Sequence, residues 1–151
     1  MRIARVLTRL NFGGPARQVM ASDPVLTSRG HSVTVFAGEP EDGEGDLSDA
    51  LRDAGIDVRH VPGLRRGLTG ALRDDRRARR YLAEALRALR PEIVHTHASK
   101  AGALGRQAAR RALPEVPRVH TFHGHVLEGY FPGPISRLLQ RVEAREARQT
   151  R

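Results

Sequence analysis

Five of the seven histidines and the only lysine of this 151-residue chain fall in two short stretches, His95-Thr96-His97-Ala98-Ser99-Lys100-Ala101-Gly102 and His120-Thr121-Phe122-His123-Gly124-His125. Imidazole changes charge near neutral pH and can act as acid, base, hydrogen-bond partner or metal ligand. Lysine supplies a compact cation for a phosphate or hydroxyl ligand. On a strand, His95 and His97 point to the same face, so they could hold zinc with His120, His123 or His125. No aspartate or glutamate is placed to complete an ordinary ligand set, and so arginine-rich a chain is unfavourable for a cation; no metal is expected. His95 and His120 lie inside apparent strands and read as buried, hydrogen-bonded rings. His97, His123 and His125 stand where strands give way to loops and read as cleft residues. Lys100, in the first turn of a following helix, reads either as a ligand-facing cation or as a solvated surface residue. A third group, Gly13-Gly14-Pro15, suits an anion at a helix N-terminus, where glycines let backbone N–H groups approach and the helix dipole favours negative charge. A plain tight turn is the alternative. The spacing G-x-G-x-x-G is absent, and Glu39 alone in an acidic loop does not make a dinucleotide site.

These groups need strands and helices to hold them. Arg2 to Thr8 reads as a strand, followed by a loop to Gly14 and a helix that Pro15 can open. Gly30 stops that helix, and 31–37 is a second strand. A short helix over 47–54 and a third strand, Ile56 to Val61, end at Pro62-Gly63. Over 71–90, Leu72, Ala78, Leu82, Ala85, Leu86 and Leu89 share a helical face, with most arginines elsewhere. Glu92 to Thr96 is a fourth strand, Ala101 to Leu113 a helix, Arg118 to Phe122 a fifth strand, and Pro134 opens a last helix to about Gln149. Strands alternating with helices call for an α/β, Rossmann-like three-layer sandwich, a mostly parallel sheet in the order 3-2-1-4-5 forming one domain over 1–151. That order brings Gly13-Gly14, His97 to Lys100 and His123 to His125 to one carboxyl edge, where such sheets form ligand clefts.

Composition bounds the function. The chain can bury one core. It shows no apolar run of membrane-spanning length and no signal-peptide stretch, so a cytoplasmic location is expected. With no cysteine, chemistry must rest on His, Lys, carboxylates or backbone. The net charge of +9 comes from 25 Arg and one Lys against 17 acids, and it is unevenly spread. Residues 39–57 carry eight acids and one Arg, whereas 65–90 carry nine Arg and three acids. The basic helix offers one aromatic, Tyr81, and so no stacking platform for nucleic acid. Its arginines read as the outside of a covering helix, with peripheral contact to an anionic membrane as the alternative.

The ordered set Asn11-Phe12-Gly13-Gly14-Pro15, Arg29-Gly30-His31-Ser32-Val33, His95-Thr96-His97 with Ser99-Lys100-Ala101-Gly102, and Thr121-Phe122-His123-Gly124 resembles the N-terminal domain of family-4 retaining glycosyltransferases of GT-B fold. The bacterial enzymes of exopolysaccharide and lipid-linked sugar assembly are the nearest in kind. The resemblance implies two facing Rossmann-like domains, with acceptor held mainly by the first and nucleotide-sugar donor by the second. It implies that Gly13 and Gly14 approach the donor diphosphate and sugar, that His123 contacts the donor sugar near the reacting carbon as the catalytic histidine, and that His97, Lys100 and His125 line the acceptor side. It also implies transfer without metal or cofactor, the departing β-phosphate taking the acceptor proton while basic residues stabilise the diphosphate.

The donor domain, with its E-x7-E site, is expected beyond Arg151; Glu84 and Glu92 share that spacing only by accident. The polypeptide of 151 residues is therefore expected to be inactive by itself. On the last helix Ile135, Leu138, Leu139 and Val142 form an apolar stripe that Glu146 interrupts. On the first helix Ser22 and Asp23 stand near a stripe marked by Val19 and Leu26. These polar residues read as replacements on surface bared in an engineered fragment. Two other classes stay open: a stand-alone Rossmann-like module for a nucleotide or phosphate, and an interaction protein pairing through its cleft face.

Overall fold

In a computed structural model of the chain, residues 1–66, 71–124 and 132–150 are described, so His125 lies outside the described residues. The elements are β1 (Arg2–Arg9), α1 (Gly14–Ser28), β2 (Ser32–Gly38), α2 (Ser48–Asp53), β3 (Asp57–His60), α3 (Ala71–Leu89), β4 (Ile93–His97), α4 (Ser99–Ala112), β5 (Arg118–Thr121) and α5 (Gly133–Ala147). The strands form one sheet in the order β3-β2-β1-β4-β5. Every neighbouring pair is parallel. The expected α/β sandwich and its strand order are therefore the observed ones.

Alternation along β1 divides the core in two. Ala4 and Val6 face Phe36, Val94 and the buried side of α3 and α4, including Ala78, Leu82, Leu86, Ala101 and Leu104. Ile3 and Leu7 face Val33, Val35 and residues of α1 and α2 such as Ala16, Val19 and Leu51. The periodicity of α3 holds except at Leu72, which is 76% exposed. Glycine sets how closely α4 sits on the sheet. A Cβ on Gly102 would stand 2.4 Å from His120 Cε1, and one on Gly105 would stand 2.8 Å from Thr96 Cγ2.

The polar residues read above as replacements on bared surface instead point inward to partners. Asp23 is fully buried and Glu146 is 3% exposed. Asp23 pairs with Arg5 of β1, and Glu146 pairs with Arg110 of α4 at 3.4 Å. Helix α5 also departs from the expected stripe, since Leu138 is 60% exposed while Ser136 is buried. Its dock on α4 is largely ionic: Arg106, 1% exposed, donates from Nη1 and Nη2 to the two Glu143 carboxylate oxygens at 2.7 and 2.6 Å. A bidentate guanidinium–carboxylate pair fixes orientation as well as distance.

Candidate functional site

An arginine in the middle of a central parallel strand must find partners for five N–H donors away from water. Arg5, 6% exposed, does so within one cluster. Its Nε donates to Asp23 Oδ1 at 2.9 Å, and its Nη2 donates to Asp23 Oδ1 at 2.6 Å and to Ser22 Oγ at 3.3 Å. The two hydrogens of Nη1 go to His95 Nδ1 at 2.6 Å and to His97 Nε2 at 3.4 Å. The strand register makes this possible, because Arg5 lies beside His95 across the β1–β4 ladder and His97 follows on the same face.

From there the network runs toward the carboxyl edge. His95 and His97 stack with centroids 4.2 Å apart, and His97 stacks on His123 at 5.0 Å. His97 Nδ1 lies 2.7 Å from His123 Nε2, and His95 Nε2 lies 2.8 Å from Thr121 Oγ1. On the opposite face of the sheet His120 Nδ1 is 3.0 Å from Thr96 Oγ1, a separate contact. Burial, then the neighbouring His95 and Arg5, push His97 down to about 3. Burial and Arg5 push His95 down to about 4. Burial lowers His123 as well. All three rings are thus neutral at physiological pH.

The sheet edge itself is conformationally unusual. Ala98 and His123, just past the ends of β4 and β5, have φ of 57° and 60°. A non-glycine residue in this left-handed region costs on the order of 1 kcal/mol, and such residues gather at functional sites. A hollow of about 200 Å³ opens there, bordered by Thr8, Arg9, Asn11, Gly13, His97 and Ala98. His97 borders it although its own surface is fully buried. Gly13 precedes α1 and is tied by its N–H to Asn11 Oδ1 at 3.2 Å, while a Cβ on Gly14 would meet nothing within 4 Å. The acidic loop braces this corner: Glu44 pairs with Arg9 at 2.5 Å and accepts from Asn11 Nδ2 at 3.3 Å. The Arg9 hydrogen bond, ahead of a backbone bond with Glu41, holds the Glu44 carboxyl below its ordinary range.

Of the residues singled out from sequence, the fold joins Gly13, His97 and His123 through this hollow and the ring contact. Lys100 does not border this hollow, and its Nζ lies 2.9 Å from Asp75 Oδ1 of α3. His95 and His120 are hydrogen-bonded as expected, but they are half-buried rather than buried. Arg5, Asp23 and Glu44 were not anticipated as site residues. The available signal was a charged residue within an apolar central strand together with an acid on the inward stripe of the helix covering it. Among the described residues no group of three His, Asp or Glu could hold a metal ion, and the Arg5 guanidinium already occupies the acceptor nitrogens of two rings.

A second feature lies on the outer side of α3. Arg76, Arg77, Arg80, Tyr81 and Glu84 border an open hollow of about 510 Å³ with Pro62. Among the described residues, no helix is long and apolar enough to cross a membrane.

Comparison with known proteins assigns the fold to a family. The chain is 42% identical over 129 residues to UDP-Gal:alpha-D-GlcNAc-diphosphoundecaprenol alpha-1,3-galactosyltransferase of Escherichia coli, covering 85% of this chain and 31% of that protein. It thus spans about a third of that relative's length. MurG of Acinetobacter baumannii superposes with a TM-score of 0.62 at 16% identity, covering 99% of this chain and 39% of MurG. A UDP-N-acetylglucosamine 2-epimerase from Listeria monocytogenes gives 0.63 at 16% identity, over 99% of this chain and 37% of that one. At that identity the structural likeness speaks for the fold, which carries more than one chemistry. A sequence model of Glycosyltransferase Family 4 matches residues 12–151, which takes in Gly13, the buried Asp23 and both histidine clusters. The glycine loop, the strand order and the histidine-bearing carboxyl edge thus belong together: the chain is a member of glycosyltransferase family 4.

Proposed function

We propose that this chain is the acceptor-side, N-terminal domain of a retaining glycosyltransferase that transfers a sugar from a nucleotide-sugar donor to a sugar or lipid-linked acceptor. The observation that carries this reading is the contact of His123 with His97, which together with Gly13 borders the hollow, in a chain of this family. In the proposed reaction Gly13 and the open Gly14 approach the donor diphosphate, and His123 contacts the donor sugar near its reacting carbon. His97 and Lys100 belong to the acceptor side, as does His125, which lies outside the described residues. The departing phosphate takes the acceptor proton. The second wall of the cleft comes from a donor-binding domain, so the 151-residue polypeptide alone does not turn over. The name of the Escherichia coli relative, with its diphosphoundecaprenol-linked acceptor, supports a lipid-linked acceptor here. The exposed arginines of α3 then supply peripheral contact with the anionic inner face of the plasma membrane.

Calorimetry on the 151-residue chain tests this reading. A short-chain polyprenyl diphosphate carrying N-acetylglucosamine is expected to bind, while free nucleotide and nucleotide sugar bind weakly. Tight binding of a nucleotide without any response to the acceptor would instead mark a stand-alone nucleotide module. Turnover of a nucleotide sugar by this chain alone would overturn the claim of inactivity. Light scattering addresses self-association through the cleft face, for which a concentration-independent monomer mass is expected.

A further inference from the structure

We infer that the buried chain Asp23–Arg5–His97 is a positioning device that fixes His123 in its Nδ1–H tautomer, so that this residue meets a ligand as a hydrogen-bond donor. The inference rests on the reading that His123 faces the reacting sugar, and it says what kind of contact His123 makes there.

Proton bookkeeping carries it. Arginine only donates, and all five of its N–H groups are used: Nε and Nη2 on Asp23 and Ser22, Nη1 on the two rings. His97 Nε2 and His95 Nδ1 are therefore acceptors, and in a neutral ring the other nitrogen carries the hydrogen. His97 must then donate from Nδ1, and the group 2.7 Å away is His123 Nε2. His123 Nε2 accepts, which leaves the His123 proton on Nδ1. His95 follows the same rule and donates from Nε2 to Thr121 Oγ1. The direction of the whole chain is set at its buried end, where Asp23, with no exposed surface, anchors the guanidinium. Two consequences follow for the site. His123 Nε2 is occupied and cannot take a proton from a ligand. Its Nδ1–H can donate to an oxygen that gains negative character as a sugar leaves.

Nitrogen NMR on the ¹⁵N-histidine-labelled chain reads each tautomer directly. In the unsubstituted chain His97 and His123 are expected as single Nδ1–H tautomers and His95 as Nε2–H; His123 in the Nε2–H form would overturn the inference. In Arg5→Met/Asp23→Leu, which removes both charges together, His97 and His123 should lose their single tautomers while His120, held by Thr96, keeps its own. Should that variant not fold, His97→Leu leaves the Arg5–Asp23 pair in place and should release His123 alone. An unchanged His123 spectrum in either folded variant would overturn the inference. Because no sugar enters the measurement, a fixed tautomer in a chain that binds no acceptor counts against the proposed function and leaves the device standing. A bound acceptor with a free tautomer does the reverse.

Discussion

Arg5 Nη2 lies 2.6 Å from Asp23 Oδ1, joining the centre of β1 to the inward face of α1, with the side chains 8% and 0% exposed. A buried pair of this kind gains little over a well-packed apolar pair, but losing one partner strands the other charge. Its place beneath two stacked histidines suits a role in orienting rings more than one in stability.

That asymmetry gives the first expectation. Arg5→Met or Asp23→Leu alone should each destabilise the fold by about 3–5 kcal/mol. The double substitution should cost far less than the sum of the two. Urea unfolding of the four chains, arranged as a double-mutant cycle, measures the difference.

Acid should act on the histidines before the carboxylates. His95 and His97 take up protons only near pH 4 and 3 in the folded chain, against an ordinary value of 6.5. Between those limits the unfolded chain binds protons that the folded chain refuses. Stability present above pH 6.5 is therefore lost as pH falls through this window, at most about 8 kcal/mol for the two rings together. The lowered Glu44 and Glu92 act in the same direction but lower, starting from about 4.5. Unfolding free energies at pH 7.5, about 6 and about 5 should fall steadily, and His97→Leu should flatten that slope.

The close seat of α4 predicts a clash that propensity alone would miss. Alanine is favoured over glycine inside a helix by about 1 kcal/mol. At Gly102 its Cβ must displace the His120 ring, an overpacking cost of about 1–3 kcal/mol, so Gly102→Ala should be neutral to destabilising by about 2 kcal/mol. Thermal unfolding checks this, and hydrogen exchange of the α4 and β5 amides should locate the disturbance. Gly14→Ala, with open space around its Cβ, is the control expected to leave stability nearly unchanged.

The ionic dock of α5 should make this helix separable from the rest. Glu143→Leu strands the Arg106 guanidinium, which is 1% exposed, and should loosen α5 while the sheet holds. Faster hydrogen exchange confined to α5 is the expected reading.

If the basic face of α3 meets anionic lipid, reversing Arg76, Arg77 and Arg80 to glutamate should weaken binding to phosphatidylglycerol vesicles. At about 1 kcal/mol for each arginine lost, the expected weakening is at least on the order of 100-fold. Vesicle co-sedimentation at two salt concentrations measures it.

Much of the scaffold was legible in the sequence because its punctuation is local. Gly30, Gly55 and Pro91 bound the elements, and strands that alternate with helices imply a sheet covered on both faces. The placement of His95 and His120 inside strands likewise implied hydrogen-bonded rings. The inward direction of Asp23, Ser136 and Glu146 was not legible, since helical periodicity scores a buried acid as a surface residue unless its distant partner is known. Arg5 and Asp23 are 18 positions apart, and Arg106 and Glu143 are 37 apart. The contacts of Lys100 were hidden for the same reason, because Asp75 comes from another helix.

The carboxyl edge of the sheet, with its acceptor side at His97 and Lys100, is the proposed working face for a lipid-linked sugar acceptor. The decisive measurement maps amide and imidazole shifts of the chain during titration with a short-chain N-acetylglucosaminyl diphosphoryl lipid. Perturbations gathered at His97, Ala98 and Lys100, and weakened by Lys100→Ala, are the predicted result. Perturbations confined to the arginine face of α3, or unchanged at the sheet edge in Lys100→Ala, would contradict it.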